Sequence, residues 1–272
     1  MHSNQWTFIG AGNMASSLIG GLVSSGISGK TISVVDISSE ACNRLADKFG
    51  VQTFSNTKHV SSNDAVVVAV KPNIVESVCR SLANTQPALL VSVAAGVRSD
   101  AMTTWLNGGC PVVRCMPNTP ALLGLGATAL YANEKCSAQH KEQAQALLAT
   151  AGKTHWVSTE AQLDAVTALS GSGPAYFFYL IEHMASAGEA LGLPADMARE
   201  FAIETAYGAA SMARTGELSP SVLRENVTSK GGTTAAALAT FNELQTPEII
   251  AKAMQAARDR AVQLGDEFAT SS

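Results

Sequence analysis

The stretch "WTFIGAGNMASSLIGGLVSSG" at residues 6–26 decides the fold, because a glycine-rich turn joins a short apolar strand to a helix there. Gly10, Gly12 and Ala15 fit G-x-G-x-x-G/A, a pattern that allows a tight turn, a close approach of pyrophosphate and tight packing of helix on strand. Apolar spacing predicts a helix over 13–26. The stretch predicts the start of a dinucleotide-binding domain; the alternative is a turn needed only for packing.

Strand and helix patterns alternate outward from this turn as far as about residue 157. Capping serines and a final glycine predict a helix over 38–50. Short apolar segments predict strands at 30–36, 65–70, 88–96 and 110–117. Alternation of this kind indicates an α/β fold with a doubly wound parallel sheet of the Rossmann type.

Composition limits the class of protein. A chain of 272 residues, 46% apolar and 15% charged, predicts one large or two modest globular domains. The longest apolar runs, 64–70 and 87–97, are too short to span a membrane, and positions 1–15 lack a secretory-signal pattern. The net charge of −4 provides no basic footprint for nucleic acid. We therefore expect a cytoplasmic protein with a small-molecule substrate and no nucleic-acid or membrane partner.

Cysteine and histidine spacing indicates neither a disulfide framework nor a metal site. The five cysteines are odd in number and contain no C-x-x-C pair, which favours free thiols in a reducing cytosol. The histidines show no ligand spacing, so we expect no metal. His183 lies on an apolar helix pattern and is expected to be a packed core residue.

Asp36 ends the second predicted strand, where an acidic residue grips the adenosine ribose hydroxyls in dinucleotide-binding folds. An Asp there favours NAD, because its charge repels a 2′-phosphate. Ser38, Ser39 and Arg44 follow and offer groups for that phosphate instead, so the choice between NAD and NADP stays open. The structural alternative makes Asp36 a cap for the next helix.

Two proline-bearing loops follow buried strands. "AVKPN" at 69–73 places Lys71 at the carboxyl edge of the sheet, where ligands bind in open α/β folds. In "RCMPNTPALLGLG" at 114–126, prolines flank Asn118 and Thr119. We interpret both loops as walls of a cofactor or substrate site; simple strand termination is the alternative.

The second half is predicted to be all-α. Helical patterns cover 195–216 and 246–268, and the aromatic run 176–179 lies on a helix that is apolar nearly all round. Such a helix needs burial on more than one side, which predicts a dimer. "SGSGP" at 170–174 is interpreted as a flexible element between helices. The predicted domains are residues 1–160, which bind NAD(P), and residues 161–272, which bind substrate and dimerise.

A second anion site is predicted in "TSKGGTT" at 228–234, which opens directly into an alanine-rich helix. Backbone N–H groups of 231–234 can converge in a nest at the positive end of the helix dipole. Thr228, Ser229, Thr233 and Thr234 add four hydroxyls beside Lys230, which suits a small carboxylate. The alternative is a Schellman-type stop followed by a capped helix.

These motifs, taken together, resemble the Δ1-pyrroline-5-carboxylate reductase family over essentially the whole chain. The matching segments, in order, are "FIGAGNMA", "AVKP", "VSVAAGV", "MPNTP", "SGSGPAY" and "NVTSKGGTTAAAL". The last follows the family's signature from Pro220 to Asn242. Position 230 is proline or lysine among members of the family, so Lys230 need not be catalytic.

The resemblance implies a role for each matching residue. Pyrophosphate would be held by Gly10, Ala11, Gly12, Asn13, Met14 and Ala15. Asp36 and Asn56 would face the adenosine ribose. Ala69, Val70, Lys71 and Pro72 would line the nicotinamide side, and Ala94, Ala95 and Gly96 would pass behind the dinucleotide. The substrate carboxylate would be held by Ser229, Lys230, Gly231, Gly232, Thr233 and Thr234, with the catalytic Thr234 hydroxyl near the ring nitrogen.

The implied reaction is hydride transfer from C4 of NADPH or NADH to C5 of 1-pyrroline-5-carboxylate, which gives L-proline, the last step of proline biosynthesis. A Rossmann domain and a helical domain that pairs between subunits are implied, with an active site between them to which the partner contributes. No convincing general acid is found in the sequence.

Two other functions are considered. A β-hydroxyacid dehydrogenase needs a helix lysine where this chain has Tyr and Phe after "SGSGP", and a dinucleotide sensor has no need of a carboxylate nest.

Overall fold

The computed structural model describes residues 5–270, with side-chain surroundings up to residue 268. Eight strands form one sheet in the order β3-β2-β1-β4-β5-β6-β7-β8. The strands are β1 (Trp6–Ile9), β2 (Ile32–Val35), β3 (Gln52–Phe54), β4 (Ala65–Val68), β5 (Leu89–Ser92), β6 (Val112–Met116), β7 (Gly126–Ala132) and β8 (Gly152–Trp156).

Helices connect and follow these strands. In the first half they are α1 (Asn13–Ser24), α2 (Ser39–Phe49), α3 (Val75–Leu82), α4 (Ser99–Trp105) and α5 (Ala138–Ala149). In the second half they are α6 (Gln162–Val166), α7 (Gly173–Ala190), α8 (Ala195–Arg214), α9 (Pro220–Asn226), α10 (Thr233–Glu243) and α11 (Thr246–Thr270). The predicted order of a doubly wound α/β domain followed by an all-α domain is confirmed.

The sheet is parallel from β3 through β6, and β1 lies between β2 and β4. The carboxyl ends of β1, β2 and β4 therefore meet at one edge. β7 departs from this pattern because it pairs antiparallel with β6. The connection 117–125 is too short for a parallel crossover, which needs about a dozen residues or more. A 3-10 turn at Thr119–Leu123 returns the chain directly instead.

The sheet is buried on both faces because its central strands are apolar at successive positions. Phe8 belongs to the apolar cluster on one face and its neighbour Ile9 to the cluster on the other. The residues of β4 alternate between the same two clusters, and all four are buried, as the sequence predicts. Tight packing on both faces fixes the register, and hence where each strand ends at the shared edge.

The segment "SGSGP" differs from its sequence interpretation. Thr167–Gly171 form a π-helical turn between α6 and α7, and α7 begins at Gly173. The Asn118 amide donates to the carbonyl oxygen of Ser170 at 3.2 Å and to its Oγ at 3.1 Å, and Asn118 Oδ1 accepts from the N–H of Ala127 at 2.9 Å. The expected flexible linker is therefore wrong, because side-chain hydrogen bonds hold this segment in helical form.

The five cysteines are free, as expected, and only Cys136 is partly exposed. Burial raises the pKa of Cys79 and of Cys110 to about 12. Buried thiols of this kind are poor nucleophiles, so these two behave as packed apolar residues.

The chain divides into two compact units. Among the described residues, the first comprises 5–172 together with 257–270, and it contains the sheet. The second, Gly173–Ala256, is helical and is described throughout, yet only four of its residues are buried, namely Gly173, Ala185, Ala198 and Ala202. His183 is exposed in this unit and contacts the Tyr179 ring at an interplanar angle of 37°, so the expected core position is wrong for a single chain.

None of the helices within residues 5–270 is long and apolar enough to cross a membrane.

Candidate functional site

The turn between β1 and α1 is shaped for close approach to the backbone. Gly10 has φ +105°, and its N–H donates to the Val35 carbonyl at 2.8 Å. A Cβ at Gly10 would lie 2.6 Å from the Ala69 carbonyl oxygen, so only glycine fits. A Cβ at Gly12 would meet no atom within 4 Å. Gly12 thus leaves open space beside the backbone where a ligand can approach.

Gly12 is also the N-cap of α1, and it provides no side-chain cap. The first capping bond is that from the Ser16 N–H to the Gly12 carbonyl at 3.0 Å. Among the described residues, the N–H groups of 13–15 have no acceptor, so they form the positive end of a 12-residue helix. A helix start of this kind attracts a phosphate.

A cleft of about 590 Å³ opens at the carboxyl ends of β1, β2 and β4. Its walls come from these strand ends, the segment after β3 and one face of α3. They comprise Ile9, Gly10, Ala11, Gly12, Val35, Asp36, Ile37, Ser55, Asn56, Thr57, Ala69, Val70, Lys71, Ile74, Ser77, Val78 and Ser81. The cleft is therefore a mostly apolar groove with polar groups at defined positions, as in binding sites for small molecules.

The Asp36 carboxylate is held by two backbone N–H groups. Oδ2 accepts from Ala11 at 2.7 Å and Oδ1 accepts from Ser38 at 2.8 Å. The first bond crosses from β2 to the glycine turn, so Asp36 also fixes the shape of that turn. Each oxygen retains a further lone pair for a ligand hydroxyl. The Ser38 hydroxyl caps α2 by accepting from the Ala41 N–H, so the capping role is carried by Ser38 and not by Asp36.

The structure brings together Gly10, Ala11, Gly12, Asp36, Asn56, Ala69, Val70 and Lys71 from the predicted cofactor set, all of them in the cleft wall. The others lie outside that wall. Asn13, Met14 and Ala15 open α1, and Pro72 opens a 3-10 turn. Ala94, Ala95 and Gly96 follow β5, where a Cβ on Gly96 would lie 3.3 Å from Leu264.

The α3 wall was missed by sequence reasoning. Ser77, Val78 and Ser81 line the cleft, and Ser81 Oγ accepts from the Thr57 hydroxyl at 3.1 Å. The spacing of Ser77 and Ser81, one helical turn apart, was the available signal. The loop around Asn118, interpreted as a site wall, does not contribute to this cleft, since the Asn118 amide is committed to Ser170 and Ala127.

The second predicted site lies at the start of α10 in the helical unit. Gly231 has φ +74°, and Gly232 is the N-cap with no side-chain cap. In this fully described segment the N–H groups of 233–235 have no acceptor, whereas the Gly232 N–H donates to the Ser229 carbonyl at 3.0 Å. The alternative of an ordinary capped helix is therefore not what the structure shows. The arrangement presents three free donors to an anion.

The hydroxyls around this helix start divide into two groups. Thr228 Oγ1 donates to the Arg224 carbonyl at 2.6 Å and closes the end of α9, so the expected contribution of Thr228 to the nest is wrong. Ser229, Lys230 and Thr233 are exposed, and Thr234 is half-buried. The structure therefore brings together Ser229, Lys230, Gly231, Gly232, Thr233 and Thr234 around the free N–H groups.

A buried ionic cluster lies elsewhere in the first unit. The Arg114 side chain in β6 is 7% exposed and pairs with Glu160 Oε1 at 2.6 Å. Glu160 also accepts from the Ser99 N–H and hydroxyl, each at 2.7 Å, and so caps α4. Burial alone would raise the pKa of Glu160, but the hydrogen bonds from Arg114 and Ser99 and the charge of Arg114 hold it below its usual range. Burial raises the pKa of nearby Asp164.

Among residues 5–270, no three His, Cys, Asp or Glu side chains come together as a metal site.

Comparison with known proteins adds independent findings. Residues 160–264 match the family model described as pyrroline-5-carboxylate reductase dimerisation, and residues 5–96 match that described as NADP oxidoreductase, coenzyme F420-dependent. A solved pyrroline-5-carboxylate reductase from Coxiella burnetii superposes with a TM-score of 0.91 at 37% identity, covering 97% of this chain and 99% of that one. The Plasmodium falciparum enzyme, solved with NADP bound, superposes at 0.85 with 25% identity and the same coverage.

Curated relatives agree with these structures. A pyrroline-5-carboxylate reductase of Pseudomonas aeruginosa is 45% identical over 98% of this chain and 99% of its own length. That of Vibrio alginolyticus is 41% identical over 98% and 100%. The doubly wound sheet and its glycine-walled cleft define an NAD(P)-dependent oxidoreductase. The chain belongs to the pyrroline-5-carboxylate reductase family.

Proposed function

We propose that this protein reduces 1-pyrroline-5-carboxylate to L-proline with NADH or NADPH, the last step of proline biosynthesis. The observation that carries the proposal is the start of α10, where Gly231 and Gly232 precede three free N–H groups. A dinucleotide-binding fold alone is shared by many oxidoreductases, whereas this second anion site suits a substrate with one small carboxylate. The test is consumption of NADH or NADPH that depends on added pyrroline-5-carboxylate, with L-proline identified as the product.

The cleft at the strand ends fits a dinucleotide. Its open face at Gly12 and the free N–H groups of 13–15 suit a pyrophosphate, and the Asp36 carboxylate suits the adenosine ribose hydroxyls. Asn56 is assigned to the same ribose, and Ala69, Val70, Lys71 and Pro72 to the nicotinamide side. When bound, the reduced nicotinamide supplies the hydride that the cyclic imine accepts.

The nest at α10 positions the substrate. Its N–H groups and the hydroxyls of Ser229 and Thr233 hold the carboxylate, which fixes the imine ring by one end. Half-buried Thr234 places a hydroxyl that can donate to the nitrogen of the neutral imine or accept from the N–H of the protonated imine. No stronger acid is required, because a protonated imine is already a good hydride acceptor.

Thr234→Ala is expected to lower kcat about a hundredfold while leaving the Kd for the dinucleotide unchanged, because it removes only the hydroxyl beside the ring nitrogen. Steady-state kinetics and a dinucleotide titration measure the two quantities. Thr234→Ser, which keeps the hydroxyl, should retain most of the turnover. An unchanged kcat in Thr234→Ala would remove this residue from the mechanism.

We also propose that the protein functions as a homodimer or an oligomer of dimers. Phe177 and Phe178 on α7 are 63% and 65% exposed, and Phe201 on α8 is 59% exposed, in a unit with almost no core of its own. Exposed apolar surface of this kind is typical of an interface between subunits. The matching family model is itself described as a dimerisation region.

The double variant Phe177→Glu/Phe178→Glu is expected to sediment as a monomer, because two charges at a buried apolar interface are costly. The matched variant Phe177→Leu/Phe178→Leu keeps apolar side chains and should sediment like the unmodified protein. If the glutamate variant remains folded and retains the oligomeric state of the unmodified protein, this face of α7 is not the interface.

Two further assignments belong to the proposal. Five free cysteines suit a reducing compartment, so we place the protein in the cytoplasm, without a nucleic-acid partner. We also propose that the NAD(P)-binding domain covers residues 1–160 and the substrate-binding and dimerising domain residues 161–272, a functional division that differs from the compact units, in which residues 161–172 and 257–270 pack with the first unit. The start of the dimerisation match at residue 160 supports this boundary.

A further inference from the structure

Ile37 is an unusually exposed apolar residue just after the end of β2. It is 97% exposed, the highest value among the large apolar side chains of the described residues. It follows Asp36 directly and lines the cleft proposed to hold the dinucleotide. An aliphatic side chain in that position offers an apolar surface to a flat base and offers no hydrogen bond or charge to a phosphate.

The negative charge of Asp36 is fixed beside Ile37. Its two oxygens accept from Ala11 at 2.7 Å and from Ser38 at 2.8 Å, so the carboxylate is not free to turn away from the cleft. A ribose with a free 2′-hydroxyl can donate to a fixed carboxylate, whereas a 2′-phosphate would bring a second negative charge against it.

Two cations of the first unit lie on α2. Arg44 and Lys48 line a depression there together with Glu40 and Asp47, two carboxylates that offset their charge, and Asp36 is not part of its wall. A smaller cavity of about 170 Å³ beside Asp36 has in its wall, apart from Asp36, only uncharged residues, namely Ile37, Ser39, Cys42, Asn43, Thr53, Phe54 and Ser55.

Lys71 is the one cation in the described wall of the main cleft, and it follows β4. Because β1 lies between β2 and β4, the Lys71 loop is two strand positions from the Asp36 loop, roughly 10 Å. Lys58 is two residues after Asn56, and its backbone N–H donates to Asn56 Oδ1 at 3.1 Å, but Lys58 lines neither cavity. Among the described residues, no cation other than Lys71 lines a cavity that contains Asp36.

We propose that Asp36 and Ile37 make this protein select NADH over NADPH. This inference specifies the hydride donor of the proposed reaction and rests on that function. From the sequence alone, Ser38, Ser39 and Arg44 were candidates to bind a 2′-phosphate. In the structure the Ser38 hydroxyl caps α2, and Arg44 is absent from both cavity walls that contain Asp36. Apart from Lys71, two strand positions away, the groups in those walls that could face a 2′-phosphate are uncharged.

Calorimetric titration with ADP-ribose and with 2′-phospho-ADP-ribose tests the preference without any chemistry, since neither ligand carries a nicotinamide. We expect the unmodified protein to bind ADP-ribose about tenfold more tightly or better, from like-charge repulsion at short range. Asp36→Asn combined with Ile37→Arg removes the repulsion and adds a cation, so it should reverse the order of affinities. The separate changes Arg44→Gln and Lys58→Gln should leave the ratio of affinities unchanged.

Equal or tighter binding of 2′-phospho-ADP-ribose by the unmodified protein would overturn the preference, as would a selective loss of its binding in Arg44→Gln or Lys58→Gln. Failure of both ligands to bind would overturn it together with the assignment of the cleft. A normal preference for ADP-ribose in a protein that forms no proline would instead reject the proposed reaction and leave the selectivity of Asp36 and Ile37 intact.

Discussion

Gly10→Ala is expected to abolish measurable dinucleotide binding and to lower the free energy of unfolding by about 2–4 kcal/mol. The added methyl would lie 2.6 Å from the Ala69 carbonyl oxygen, and φ +105° is strained for any residue with a Cβ. The backbone at β1 or β4 must therefore shift, which moves the turn and the strand end that wall the cleft. Dinucleotide titration and denaturant unfolding measure the two effects.

Gly12→Ala is the matched control for this prediction. A Cβ there meets nothing within 4 Å and points into open space at the cleft, so stability should change by less than about 1 kcal/mol. Dinucleotide affinity should still fall, because the methyl occupies the space left for the ligand. If Gly10→Ala binds the dinucleotide as tightly as the unmodified protein, the turn does not hold the cofactor.

Glu160→Ala is expected to lower the free energy of unfolding by about 3–5 kcal/mol, because it leaves a buried guanidinium without its partner. The Arg114 side chain is 7% exposed, and the Ser99 N–H and hydroxyl lose their acceptor as well. Glu76→Ala breaks the exposed pair with Arg80 and serves as the control, with an expected loss of about 0.5 kcal/mol or less. Equal losses in the two variants would contradict the buried pair's importance.

The Glu160 carboxylate also makes the free energy of unfolding depend on pH. The pKa of Glu160 is lowered in the folded protein, so its stabilisation is fully present above its ordinary pKa of 4.5 and is lost as pH falls through the folded pKa. Glu160→Gln removes this dependence. Asp164, whose pKa is raised by burial, acts in the opposite direction, since its contribution is lost as pH rises through the folded pKa. Unfolding measured from neutral to acidic pH separates the two carboxylates.

The sequence predicted the features that local chemistry determines. The glycine turn, the buried strand predicted at 65–70 and observed at 65–68, and the helix predicted after the glycines at 231–232 each follow from backbone demands that only certain residues meet. The antiparallel direction of β7 was not predicted. It depends on the length of the preceding loop and on pairing with β6, and neither is visible in a local sequence pattern.

The hydrogen-bond partners of side chains could not be predicted from the sequence either. Nothing in the spacing of Asn118 and Ser170 indicates that the amide of one would bind the other and hold a π-helical turn. The sequence does not distinguish Thr228 from the other hydroxyl residues nearby, and only the structure shows the hydrogen bond from its hydroxyl to the Arg224 carbonyl. His183 follows an apolar pattern, yet it is exposed in one chain because the helical unit lacks a core of its own. These outcomes depend on tertiary context.

The central claim is that one chain holds both a dinucleotide cleft and a carboxylate nest, and that they serve a single reduction. Reaction of pyrroline-5-carboxylate with NADH deuterated at C4 tests it directly, with the product analysed by mass spectrometry and NMR. We predict L-proline that carries one deuterium at C5. Absence of proline, or proline without deuterium at C5 when both faces of C4 are labelled, would contradict it.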